Sequence, residues 1–394
     1  MSLPKVLFLI EGNTDIRFVT GLSEICQLTM AVPARNYSSS DLKDRVIASG
    51  AAVNVKEIPG GRLRYQLASM LYLLRHAKEF DLILCQEVLR GALNGTVIGA
   101  LSGTPTMTYM AIAPVEYFRC RRTRGQIGPI KAWVGEAAIR SMMTINGMLA
   151  TRCIALGRYL QAVARPYCTR TENGLYYGVD TGLYRPATEN EKLRLRQDLN
   201  LPAQKFVIFL SSRISHEKDP ETVLEAAALA RQKGLDAVVI NLGGGYKEFL
   251  KLARDLQLKN AEEWVLGRPA AHPMKDLVNY YQAADCVAQA SLEEGLGISP
   301  LEALATGTPA VCTAVGGLNN LNGYARLTPK RDPVAMSEEF LWIAANPDQA
   351  RAQALAGREY VVREWDRKKA FSDLASIFEQ VICERRARAE KPYA

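Results

Sequence analysis

Short apolar runs alternate with longer amphipathic stretches through most of this chain, and that rhythm restricts its fold more than any other feature. Val6–Ile10 reads as a strand, Asp15–Leu28 as a helix, Leu28–Pro33 as a strand and Leu63–Lys78 as a helix. Asp81–Gln86 follows as a strand, Leu89–Leu101 as a helix and Thr106–Ala111 as a strand. Strands and helices in alternation point to a parallel sheet covered on both faces.

Near Tyr176 the rhythm breaks. Tyr177-Gly178-Val179-Asp180-Thr181 and Tyr184-Arg185-Pro186 read as a turn entering a linker. After a polar helix, Asn190 to Asn200, a second series begins with the strand Phe206–Ser211. Asp219 is placed to cap a helix whose first residue is Pro220 and whose stop is Gly234. Ala237–Leu242 is a strand ending in Gly243-Gly244-Gly245, and Trp264–Leu266 is another. A helix from Met274 to Ala284, a strand Cys286–Ala290, a loop to Ser299, a helix from Pro300 and a strand Ala310–Thr313 complete the series. At 394 residues the chain exceeds the size at which one core keeps growing. The expectation is an α/β chain of two doubly wound, Rossmann-like domains, 1–186 and 187–364, facing a deep cleft, with ligands at the carboxyl ends of the strands.

Composition narrows the function. With 48% hydrophobic and 23% charged residues the chain has the make-up of a soluble globular enzyme. A net charge of +8 favours polyanionic neighbours without choosing among them. No nucleic-acid module is present, so no nucleic-acid partner is expected. Val6–Ile10 is too short for a signal-peptide core, and the apolar region from Thr96 to Pro114 is broken by Gly99, Gly103 and Pro105. A cytoplasmic protein is expected, with eight cysteines as free thiols in a reducing compartment. Arg119, Arg121, Arg122, Arg124 and Lys131 form a dense basic stretch. It reads either as a solvated loop or as a dock for an anionic lipid or phosphorylated glycan, hence a peripheral place on a membrane's inner face.

The most informative segment runs from Ser291 to Glu302. Gly295 and Gly297 let backbone approach a ligand closely. The amides opening the Pro300 helix suit a phosphate, and Glu302 suits a diol such as ribose because an ionised carboxylate only accepts. Ser299 and Glu302 equally form a capping box, so this segment alone leaves both readings open. A second cluster, Ser211 to Pro220, follows a strand and opens a helix. Lys218 alone reads as a surface residue. Beside Arg213 on one strand-to-helix connection, it reads as half of a phosphate grip. Two cations at a leaving diphosphate replace the Mg²⁺ that an Asp-X-Asp motif would hold, and the chain has no Asp-X-Asp. No metal and no cofactor are expected.

The second half resembles the donor-binding domain of glycosyltransferase family 4. The matching features are Ser212-Arg213 with Lys218, Gly243-Gly244-Gly245, Leu266-Gly267-Arg268 and Tyr281-Gln282-Ala283-Ala284-Asp285. Glu294 and Glu302, Ala305-Thr306-Gly307-Thr308-Pro309 and Gly316-Gly317 continue the series in order. The resemblance implies the GT-B fold, a helix at about 365–385 packing back onto the first domain, and sugar transfer from a nucleotide-diphosphate sugar with retained configuration. The acceptor would be a hydroxyl of a glycan, glycolipid or small molecule. It implies Arg213, Lys218 and Glu294 as catalytic residues: the cations hold the diphosphate, and Glu294 faces the donor sugar. The amides of Gly295, Leu296, Gly297, Ile298 and Ser299 would contact sugar and phosphate. Glu302 would take the ribose, Arg268 would lie near the base, and Gly12 would bring its amide to the diphosphate.

Three departures stand against the family pattern. The strand Thr106–Ala111 is followed by no histidine; the chain's three are His76, His216 and His272. Gly12 lacks the usual second glycine, and Gly316-Gly317 lacks the usual following glutamate. The competing readings are an inactive nucleotide-sugar-binding partner protein and a sugar epimerase of the same fold. A nicotinamide dehydrogenase is disfavoured because position 248 is glutamate where Gly-X-Gly-X-X-Gly requires glycine.

Overall fold

The computed structural model describes residues 3–12, 14–39, 42–123, 127–243, 245–269 and 273–389. Two compact units divide the chain. Of the described residues, one holds those within 3–122, 127–178 and 368–389, and the other holds 123 and those within 179–367. The division falls between Gly178 and Val179 rather than at 186. The Val179 amide donates to Trp365 O at 2.7 Å, and the Arg367 amide donates to Val179 O at 2.9 Å. These bonds tie Val179 to residues 365–367 of the second unit.

The first unit is a seven-stranded parallel sheet. Its strands are β1 (Lys5–Leu9), β2 (Gln27–Pro33), β3 (Val53–Ile58), β4 (Leu82–Cys85), β5 (Thr106–Met110), β6 (Arg152–Leu156) and β7 (Thr171–Gly174). They lie in the order β3-β2-β1-β4-β5-β6-β7. β4 and β5 are buried along their whole length, as strands covered on both faces must be. β3 was not expected as a strand. It is an edge strand with exposed Asn54, Lys56 and Glu57, so no continuous apolar run marks it.

The helix Ile16–Ile25 is capped by Asp15, whose carboxylate accepts from the Arg17 amide at 2.9 Å. Across it lies the chain's last helix, Arg367–Ala389. A Cβ on Gly21 would stand 1.8 Å from Phe371 Cζ, so only glycine admits this approach. Arg152 Nη2 binds Glu384 at 2.5 Å, fixing the far end of the same helix.

The second unit is a six-stranded parallel sheet: β8 (Phe206–Leu210), β9 (Ala237–Leu242), β10 (Val265–Arg268), β11 (Cys286–Gln289), β12 (Ala310–Thr313) and β13 (Arg326–Thr328). Its order is β10-β9-β8-β11-β12-β13. Both sheets are therefore doubly wound, as the alternating pattern requires. Six of the eight cysteines are buried and all are free thiols. Among the described residues no helix is long and apolar enough to cross a membrane.

Candidate functional site

In the second sheet β9 lies on one side of β8 and β11 on the other, so the loops after β8 and β11 leave in opposite directions. That switch point opens a crevice at the carboxyl edge, where such sheets take ligands. The loop after β8 carries Arg213 and Lys218, and the loop after β11 carries Glu294. The fold thus brings the loops that carry the three expected catalytic residues to one sheet edge.

Buried Asn241 on β9 holds the first loop at its root, donating to Leu210 O at 2.8 Å and Ser212 O at 3.1 Å. The loop then closes a short 3-10 turn, His216–Lys218. The Leu292 amide donates to Glu217 O at 2.8 Å, joining the two loops through backbone. Lys218 Nζ meets Glu294 Oε2 at 2.5 Å, with side chains only 18% and 14% exposed. The same oxygen accepts from Ser291 Oγ at 3.1 Å and from the Gln289 side-chain amide. A carboxylate so surrounded is fixed in position as well as neutralised. Arg213 stands apart, its side chain 81% exposed and 3.6 Å from Glu217. Ser212 Oγ is buried without a hydrogen-bond partner among the described residues.

Two sequence expectations need correction here. Asp219 occupies the N-cap position but does not cap. Its backbone is left-handed (φ +45°), and its carboxylate accepts from Thr222 Oγ1 at 2.7 Å instead. The helix expected from Pro300 runs Ile298–Ala305 with Gly297 as N-cap, so Ser299 lies inside it and the Ser299–Glu302 capping box does not form. Gly297 sits at φ +84°, and a Cβ there would meet Leu318 Cδ2 at 2.4 Å. Gly295 is pressed by Gly317, whose Cβ would stand 2.2 Å from Gly295 O. The Gly317 amide also donates to Glu294 O at 2.9 Å. Leu296 and Ile298 flank these glycines at the entrance of the helix.

Glu302 is 2% exposed, and its Oε2 lies 2.8 Å from the Tyr281 hydroxyl. That hydroxyl is also 2.9 Å from Ser211 Oγ, so it donates to the carboxylate and accepts from the serine. Burial, and then the Glu302 charge, push the Tyr281 hydroxyl well above its ordinary pKa, which keeps it a donor. The sequence motif contained Tyr281 but assigned it no role. Asp285 of the same motif is structural, bound by Lys192 at 2.6 Å and Arg196 at 2.5 Å.

Arg268 does not join this cluster. It ends β10, two strands from β8, and donates to Asn200 O at 3.3 Å. Gly12 belongs to the first unit, where it borders a cavity of about 520 Å³ at that sheet's own switch point between β1 and β4. The charged lining of this cavity, Glu11 ion-paired with Arg90, together with Glu87 and Arg35, had no role in the sequence reading. Burial, with the Glu11 charge adding to it, raises the Glu87 carboxyl although the Gly91 amide donates to it at 2.5 Å. Gly244, Arg124 and His272 lie outside the described residues.

Residues 191–360 match the family model described as "Glycosyl transferases group 1". A D-inositol 3-phosphate glycosyltransferase of Corynebacterium urealyticum is 31% identical over 202 residues, 48% of this chain and 47% of the relative. One of Salinispora tropica is 31% identical over 227 residues, 54% of this chain and 46% of the relative. The chain thus spans about half the length of these relatives. Anabaena Alr3699/HepE, solved in complex with UDP-glucose, superposes with a TM-score of 0.77 at 19% identity, covering 96% of this chain and all of that one. Sucrose-phosphate synthase of Thermosynechococcus elongatus gives 0.76 at 17% identity, covering 97% of this chain and all of that one. The resemblance read from the residues is thus matched by this family model over residues 191–360, and the chain has the GT-B fold.

Proposed function

We propose that this protein transfers a sugar from a nucleotide-diphosphate sugar to an acceptor hydroxyl, with retention of configuration and without a bound metal. The observation that carries the reading is the meeting of Lys218 and Glu294 at the switch point of the second sheet, with Arg213 extended on the same loop. An arriving diphosphate draws Lys218 away from Glu294, which frees that carboxylate for the donor sugar's hydroxyls. Arg213 adds a second cation. Buried Glu302, oriented by Tyr281, takes the ribose.

In the transfer step the acceptor oxygen bonds to the anomeric carbon on the face from which the diphosphate leaves. The bond from that carbon to the diphosphate oxygen breaks, and the acceptor proton passes to the departing oxygen. The protein's part is to position the reactants and stabilise the charge that develops on the leaving group. No side chain serves as nucleophile, and no cofactor is consumed beyond the nucleotide sugar.

The HepE complex with UDP-glucose makes UDP-sugars the first donors to try. The full chain is incubated with UDP-, GDP- and ADP-glucose and a panel of hydroxyl acceptors, with and without EDTA. Nucleotide release is followed, and the product's anomeric configuration is read by proton NMR. The reading expects nucleotide release that EDTA leaves intact, and a product with the donor's configuration. Loss of activity in EDTA overturns metal independence, and an inverted product overturns retention. A nucleotide bound but never cleaved with any acceptor identifies a binding protein instead.

A further inference from the structure

The described residues of the basic stretch lie on two packed helices of the first unit, Pro114–Arg122 and Pro129–Leu149. Phe118 packs on Gly135, where a Cβ would come within 2.5 Å of the ring. Arg119 Nη2 binds Glu136 at 2.6 Å, and Arg140 binds the same carboxylate at 2.9 Å. The Phe118 and Arg119 contacts align the helices, and the ion pairs occupy two of the cations, Arg119 and Arg140. Arg121, Arg122 and Lys131 remain exposed, and none has an ion-pair partner among the described residues. Phe118 opposite Gly135 places Arg121 and Arg122 toward the same end of the helix pair as Ile130, Trp133 and Val134. Those three apolar side chains are each more than half exposed.

We infer that this end of the helix pair docks onto an anionic lipid bilayer. Cations beside an exposed tryptophan and two aliphatic side chains match both layers of such a surface. The charges meet the headgroups, and the indole and aliphatic groups enter the interface. A second copy of this chain fits the patch poorly, because a two-fold pairing would bring like charges together. The helix pair lies on the bilayer and does not span it, since no described helix is long and apolar enough to cross. The inference rests on exposure and charge within the first unit and is independent of the transfer reaction.

The test is flotation of the full chain with vesicles of phosphatidylcholine alone and of equal parts phosphatidylcholine and phosphatidylglycerol. Three proteins are compared: the wild type, Arg121→Glu with Arg122→Glu, and Trp133→Ala. Circular dichroism melts confirm that each is folded. The wild type should float with the anionic vesicles and not with the neutral ones. A basic residue near an anionic surface contributes about fivefold to partitioning, so the double charge reversal should weaken it by at least about 30-fold. Trp133→Ala should weaken it by about tenfold. Equal flotation with both vesicles, none with the anionic ones, or variants that float like the wild type each overturn the inference. So does a dimer in solution that Trp133→Ala converts to monomer.

Discussion

Lys218 Nζ and Glu294 Oε2 stand 2.5 Å apart although 76 residues separate them along the chain. Lys218 follows β8 and Glu294 follows β11, so the pair requires these two neighbouring strands to be side by side. Removing one partner leaves a largely buried charge with less compensation. Lys218→Ala should therefore cost roughly 1–3 kcal/mol of stability, and Glu294→Gln in the same chain should recover part of it. Urea unfolding of the two single variants and the double variant measures this coupling. Simple additivity would mean the pair does not hold the two loops together.

Arg213 makes the opposite prediction, because its exposed side chain carries little of the fold. Arg213→Ala should melt within about 0.5 kcal/mol of the wild type. If the guanidinium stabilises the departing diphosphate, turnover should fall by ~10²–10³ while donor affinity changes far less. Steady-state kinetics beside calorimetric titration with the nucleotide sugar separates the two effects. Normal turnover in this variant would remove the arginine from the reaction.

Tyr281→Phe deletes one oxygen from the core and takes the donor from Glu302 Oε2. A buried carboxylate that loses a hydrogen bond costs about 1–3 kcal/mol. The variant should be destabilised by that amount and should also bind nucleotide more weakly, since Glu302 loses its orientation. Denaturation and nucleotide titration on one preparation test both. A stable variant with weakened binding would show that the tyrosine positions Glu302 without supporting the core.

The sequence was most readable where burial is two-sided. β9 and β12 fall on their expected residues because their apolar runs, interrupted in β9 only by Asn241, end at a glycine or a polar residue. β3, at the sheet edge, carries exposed polar side chains and offered no such run. The grouping of Lys218 with Glu294 was legible because both follow strand ends, a pattern that topology turns into proximity. Tyr281 beneath Glu302 was not legible, since its role depends on a helix crossing 21 residues away in sequence. The same holds for Gly317, which is required by the carbonyl of Gly295 and not by its own turn. Arg268 ends β10, two strands from β8, and its bond to Asn200 O left no mark in the sequence pattern.

The helix pair of the first unit gives a pH dependence with a definite sign. Hydrogen bonds from Arg119, and then from Arg140, hold the Glu136 carboxyl down at about 2. In the unfolded chain a glutamate titrates near about 4.3. A carboxyl depressed on folding contributes stability that is fully present above the unfolded value and is lost as pH falls toward the folded one. Glu136→Gln should therefore be less stable than the wild type by a constant margin from pH 8 down to about 5. The margin should shrink progressively between about 5 and 2. Because the cluster lies at the surface, it should also shrink in high salt. Thermal melts of both proteins across this pH range, at low and at high ionic strength, read the margin directly. A margin that changed between pH 8 and 5 would point to a different titrating group.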